Sequence, residues 1–196
     1  ALVPGVPLLI LGERGVGKTR VVESLVAKLK GGRHVVTLSC GHLRGEGVEA
    51  LLFGRVAATN DKVSAVGRGL LHEADGGILF LDEVQDLPRD TQRILLLALQ
   101  GGVRRWRRLG ETEHQEAQFD LVCASNLPID ELEKTLDPDF FDRIAHLQVE
   151  LPPLRDCPAD LQADWGRVWR EIGFPGDPPW SPTLERALTE ARLPRN

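Results

Sequence analysis

The sequence predicts an α/β fold of three layers, with a parallel five-stranded sheet between helices. Three observations point to it. Leu8-Leu9-Ile10-Leu11 is an apolar run that leads into Gly12-Glu13-Arg14-Gly15-Val16-Gly17-Lys18-Thr19, and apolar residues at helical spacing follow. Ile78-Leu79-Phe80-Leu81 is a second apolar run, and it ends in Asp82 and Glu83. Short β-rich runs alternate with helical stretches along the chain, the order that builds a parallel sheet with both faces buried.

Behind the glycine-rich loop, Val21, Val22, Leu25, Val26 and Leu29 recur at helical spacing, and Gly31-Gly32 ends that helix. A second strand is expected over 34–38, and a turn over 41–47. A short helix over 48–53 is closed by Gly54. Residues 55–67 have no clear period and carry Asn60, Asp61 and Lys62, so they read as an exposed loop or a polar-tipped hairpin. Leu70, Leu71 and Ala74 suggest a helix stopped by Asp75-Gly76-Gly77. The strand 78–82 follows, then a helix over 91–100 with Pro88 near its start and Gly101-Gly102 as its stop.

Residues 103–116 read as a polar β-ribbon with its tip at Gly110. Strands are expected over 119–124 and 147–151. Pro152-Pro153 marks a boundary, because two prolines continue neither a helix nor an interior strand. Helices over 159–171 and 182–191 form a small attachment. The expected division is therefore a core at 1–152 and a partial helical lid at 153–196.

Composition narrows the class. The chain has 196 residues, of which 42% are hydrophobic, so a packed core is expected rather than disorder. A net charge of −5 argues against a surface that coats nucleic acid. No apolar run approaches membrane-spanning length and nothing at the start reads as a signal peptide, so a cytoplasmic location away from membranes is expected. A chain that lacks methionine and begins at Ala1 reads as a piece of a longer protein. The cysteines at 40, 123 and 157 are scattered, and Cys40-Gly41-His42 is the only close Cys/His pair. Reduced thiols are expected, not a metal site.

The glycine-rich loop carries the chemistry. Gly12, Gly15 and Gly17 let backbone N–H groups turn inward around a polyphosphate, with Glu13, Arg14 and Val16 completing the cradle. The helix that opens near Lys18 adds its positive end. Lys18 is placed for the β- and γ-phosphates, and the Thr19 hydroxyl for Mg²⁺. Asp82 suits the acid that holds Mg²⁺ from a second strand, and Glu83 the base that activates water. The paired acids favour ATP over GTP as the nucleotide. Asn126, at the end of its own strand, is placed to bond the γ-phosphate or the attacking water.

At this point the chain resembles a family. The carriers are Leu51-Leu52-Phe53-Gly54, Glu73-Ala74-Asp75-Gly76-Gly77 with the strand and acid pair behind it, and Leu121-Val122-Cys123-Ala124-Ser125-Asn126. Phe141-Asp142-Arg143-Ile144 and Leu151-Pro152-Pro153-Leu154-Arg155-Asp156 complete the set. In this order they resemble the AAA+ domain of bacterial enhancer-binding proteins, the sigma-54 activators, over nearly the whole chain. The resemblance implies a three-layer P-loop NTPase that hydrolyses ATP with Mg²⁺. It also implies a homo-oligomer, usually a hexameric ring, whose active sites are shared between neighbours. It makes Asn126 the sensor I residue and Arg143 an arginine finger, although on chemistry alone Arg143 is equally a surface ion-pair partner. The partners it implies are the transcription machinery and, through a domain outside this chain, DNA.

Departures from that pattern qualify the expectation. The family's remodelling loop reads Gly-Ala-Phe-Thr-Gly-Ala, and an ungapped count puts Ala58-Thr59-Asn60-Asp61-Lys62-Val63 there. Without the aromatic and the glycines, sigma-54 is not expected to be engaged in the usual way. Ser39 stands where the family has an asparagine that restrains the catalytic glutamate, and Asp137 where it has a second finger arginine. The chain also ends before the sensor II arginine. Two alternatives therefore stay open: a nucleotide-controlled interaction module with weak turnover, and an ATPase acting on nucleic acid or a protein partner. Arg104-Arg105-Trp106-Arg107-Arg108 suits the nucleic-acid option, but Glu111, Glu113 and Glu116 follow it, which favours a solvated, self-paired ribbon.

Overall fold

The computed structural model describes residues 5–26, 28, 31–42, 46–56, 67–101 and 103–190. Five strands make one parallel sheet: β1 (Leu8–Leu11), β2 (Val35–Ser39), β3 (Ile78–Asp82), β6 (Asp120–Ser125) and β7 (Leu147–Glu150), in the spatial order β2-β3-β6-β1-β7. The remaining two, β4 (Arg104–Arg107) and β5 (His114–Ala117), pair antiparallel as a separate ribbon. The expected strand bounds hold to within a residue or two.

The alternation of side chains along each strand sorts the core into two halves. Leu8, Ile10, Ile78, Phe80, Val122 and Ala124 face the helix behind the loop, packing on Val22 and Val26. That helix is α1 (Lys18–Val21), continued by a π-helical stretch over Val22–Val26. Leu9, Leu11, Leu79, Leu81, Leu121 and Cys123 face the other way. There they meet α2 (Glu46–Phe53), α3 (Leu70–Glu73), α4 (Arg89–Ala98), α5 (Ile129–Thr135) and α6 (Pro138–Ile144) through Leu52, Leu71, Leu95, Leu132 and Phe140. The three layers expected from the sequence are present.

Two helices, α5 and α6, were not anticipated. Their signals are at their starts. Pro128 precedes α5, and Asp130 and Glu131 sit in its first turn, where acids favour the positive helix end. Asp137 caps α6, accepting from the Asp139 N–H at 3.3 Å, with Pro138 in the first turn. Each helix is only seven residues long, too short to give a periodic apolar pattern.

The ribbon is less solvated than its arginines suggest. Trp106 is 4% exposed and its indole N–H donates to the Phe53 carbonyl at 3.0 Å. Arg104 is also buried, donating to the carbonyls of Leu99 and Gly5. Period-two alternation explains this: positions 104 and 106 point inward while 105 and 107 point out. Arginines of the ribbon do pair with the following acids, the outward Arg105 with Glu116 at 2.7 Å and Arg108, just past the strand, with Glu111.

After β7 a 3₁₀ turn (Leu154–Asp156) leads into α7 (Pro158–Glu171) and α8 (Pro182–Glu190), which pack on each other. The stretches 58–63 and 193–196, on which the remodelling loop and the chain end fall, lie outside the described residues.

Candidate active site

Strand order brings the chemistry together. β1 and β3 flank β6, and the registers Leu11↔Ser125 and Leu81↔Cys123 put their carboxyl ends side by side. The glycine loop leaves β1, the acid pair ends β3, and Asn126 follows β6. This is the crevice outside the strand ends where α/β sheets bind ligands. A cavity of about 230 Å³ opens there, lined by Arg14, Gly15, Gly17, Lys18, Thr19, Asp82, Glu83 and Asn126.

Gly12 passes so close to the end of β7 that a Cβ on it would lie 2.8 Å from the Leu151 carbonyl, at a φ of +148° that only glycine adopts easily. Gly17, at φ 92°, turns the chain into α1. Lys18 opens that helix, 9% exposed, its ammonium held by the carbonyls of Gly12 at 2.7 Å and Glu13 at 2.9 Å. Burial draws its pKa below the ordinary value, while the negative charges of Asp82 and Glu83 pull the other way. The Thr19 hydroxyl lies 3.3 Å from Asp82 Oδ2, so the two oxygens expected to hold a metal are neighbours.

Asp82 Oδ1 accepts from the Glu83 N–H at 3.0 Å. Glu83 has a φ of 54°, the one positive φ at a non-glycine among the described residues. That left-handed conformation costs backbone energy and turns the carboxylate back over the strand ends. The carboxylate meets Arg14 at 3.4 Å and approaches Gly41 so closely that a Cβ there would sit 2.5 Å from Glu83 Oε2. Ser39 lies directly beside Asp82 in the sheet register. The acids Asp82, Asp86 and Glu83, after burial itself, push the Cys40 thiol up to about 12.

Asn126 is held by a residue the sequence analysis did not single out. Gln85 Nε2 donates to Asn126 Oδ1 at 2.7 Å, and Ser125 Oγ donates to Gln85 Oε1 at 2.8 Å. No motif marks Gln85; only its position in the turn behind the acid pair could have drawn notice.

Arg143 stands apart from this cavity. It lies on α6 and donates to the Leu99 carbonyl of its own chain at 2.8 Å, beside Arg104 on the same oxygen. Asp137 is also turned inward, where it caps α6 and pairs with Arg93 at 3.1 Å. Next to the loop, a larger cavity of about 620 Å³ separates Val16, Arg20 and Val21 from Cys157, Asp164 and Arg167 on the α7 side. Ion pairs join the same two segments: Arg155 with Glu13 at 2.5 Å and Arg20 with Glu171 at 3.3 Å.

Comparison with known proteins agrees with the geometry. The chain is 33% identical over 199 residues to the Psp operon transcriptional activator of Escherichia coli, a match that covers 97% of this chain and 60% of that protein. It is 35% identical over 159 residues to the alginate biosynthesis transcriptional regulatory protein AlgB of Pseudomonas putida, covering 79% of this chain and 35% of that one. Among solved structures, NtrX from Brucella abortus in complex with ATP superposes with a TM-score of 0.79 at 26% identity, over 98% of this chain and 42% of that chain. The chain thus spans less than two thirds of each. The family model of the sigma-54 interaction domain matches residues 2–150, which include the glycine loop, the acid pair and Asn126. With strand order, loop and relatives in agreement, the chain belongs to the sigma-54 interaction domain family, the AAA+ domain of bacterial enhancer-binding proteins.

Proposed function

We propose that this chain is the ATP-binding and ATP-hydrolysing module of a bacterial transcription regulator. One observation carries the reading: Lys18, Thr19, Asp82, Glu83 and Asn126, brought from three strand ends, line a single cavity. Gly12, Glu13, Arg14, Gly15, Val16 and Gly17 cradle the phosphates, and Lys18 exchanges its two carbonyl partners for phosphate oxygens. Thr19 and Asp82 offer the hard oxygen donors that suit Mg²⁺, and one hydroxyl plus one carboxylate fits an ion that keeps phosphate and water as its other ligands. Bound there, the metal supplies neutralisation of charge on the phosphate oxygens. Glu83 takes the proton of the attacking water, and Asn126 orients that water or the γ-phosphate. The nucleoside fits the larger cavity under α7, so residues 153–196 act as a helical lid on the core at 1–152.

Arg143 serves a neighbouring subunit's nucleotide in this reading, which requires a ring, hexameric by resemblance, and the release of its bond to Leu99. DNA contact falls to a domain outside this chain. The polar residues at 58–63 lack the aromatic contact of the family's remodelling loop, so sigma-54 is not engaged in the usual way in this reading. The test is Glu83→Gln in the intact protein: ATP binding should persist while turnover drops by about 100-fold or more. Undiminished turnover removes Glu83 from the role.

A second reading, a nucleotide-controlled interaction module with weak turnover, is favoured by the inward engagement of Asp137 and Arg143. Appreciable hydrolysis by the intact wild-type protein eliminates it. An ATPase working on nucleic acid is less well supported, because the buried Trp106 ring offers no face on which a base can stack.

A further inference from the structure

The polarity of Asn126 is set from outside the cavity. A carboxamide has two chemically opposite ends, and which one faces a phosphate decides whether it attracts or repels. Leu127 N–H donates to Ser125 Oγ at 3.1 Å. A backbone N–H can only donate, so Ser125 Oγ is an acceptor here and its own hydrogen is left to be donated elsewhere. Ser125 is 0% exposed, and its hydroxyl hydrogen is spent on Gln85 Oε1 at 2.8 Å. Gln85 must then offer its NH₂ at the other end, and it reaches Asn126 Oδ1 at 2.7 Å. Flipping the Gln85 amide would take the acceptor away from a buried hydroxyl, a costly loss. Gln85 itself does not line the cavity, whereas Asn126 does.

We propose that Gln85 is a positioning residue that fixes the Asn126 side chain with its oxygen turned away from the cavity, leaving the NH₂ group to donate to the terminal phosphate of a nucleoside triphosphate. This rests on the nucleotide reading above. A donor poised there rewards the third phosphate, so ATP is preferred to ADP. The order of the relay, backbone amide to serine to glutamine to asparagine, works only with an amide at position 85.

The discriminating variant is Gln85→Glu, nearly isosteric but able only to accept when ionised. It still receives the Ser125 hydroxyl, yet it draws the Asn126 NH₂ toward itself and presents the asparagine oxygen to the phosphate. In the intact protein with Mg²⁺, ADP affinity should match wild type. The preference for ATP should vanish, and turnover should fall by about 100-fold, the scale of losing one aligned donor. Gln85→Ala, which leaves Asn126 free to rotate, should cost only about tenfold. Packing alone predicts the reverse order, since truncation disturbs more than an isosteric exchange. Without nucleotide, the ¹⁵N-labelled Asn126 side-chain amide should show one proton shifted downfield in Gln85→Glu. An unshifted Asn126 resonance, or an ATP-to-ADP preference equal to wild type in Gln85→Glu, overturns the proposal. Should the wild type bind neither nucleotide, the nucleotide reading fails instead, and the resonance comparison still decides whether Gln85 sets the amide.

Discussion

Glu83 shows how much of this site depends on single contacts. Its backbone is in the left-handed region and its carboxylate runs between Arg14 and the bare face of Gly41. A methyl group at position 41 meets only the far ends of two flexible side chains, Glu83 at 2.5 Å and Asp86 at 3.2 Å, so the carboxylates shift and the fold does not. Gly41→Ala is therefore expected to lower ATP turnover by about 10- to 100-fold, the usual consequence of misplacing a reacting group by an ångström. Melting temperature and nucleotide affinity should stay close to wild type. Unchanged turnover in a crystallographically displaced Glu83 would show that its position is not critical.

Asp137 makes the corresponding case for an element. An acid stands where the family places a cation, and the structure uses it to begin a helix: its carboxylate caps α6 and its own N–H donates to Gln92 Oε1 at 2.7 Å. Arg93, mostly exposed, adds little to that bond. Replacing Asp137 with alanine removes the cap and should destabilise the protein by about 1 kcal/mol in urea unfolding, without a change in m-value. Stability equal to wild type would mean that Pro138 alone starts the helix. Substituting arginine should cost more, because the cation would enter a nearly buried position beside Arg93.

For the whole molecule, the buried thiols set an alkaline limit. Burial pushes Cys40 up to about 12 from an ordinary 9.0, and Cys123 well above it. Between these values the folded state keeps protons that the unfolded chain releases, so stability is fully present below pH 9 and falls as pH rises through the window. Lys18 acts in the opposite sense: its lowered pKa means that stability is regained as pH approaches its ordinary value of 10.5. The slope of unfolding free energy against pH, measured above pH 9 where the fold survives, should be less negative in Cys40→Ala than in wild type. Equal slopes would mean that Cys40 ionises as freely folded as unfolded. Cys157, half-exposed, is expected to react with thiol reagents while the two buried cysteines do not.

The sequence alone determined which candidate groups stand at the strand ends. Glycines at 12, 15 and 17, the lysine and threonine behind them, the two acids after an apolar run and the asparagine after another were legible because each sits at a short, fixed spacing from a strand end. The alternation of strand and helix was legible for the same reason, and α5 and α6 escaped because seven residues are too few to display a period. Tertiary structure alone decided what those residues touch. Strand order set Asn126 beside Glu83, folded Arg143 onto Leu99 and Asp137 onto Arg93, buried Trp106, and introduced Gln85 to Ser125 and Asn126. Such contacts join residues some 40 positions apart or more. They form when packing closes long loops, and no spacing along the chain encodes them.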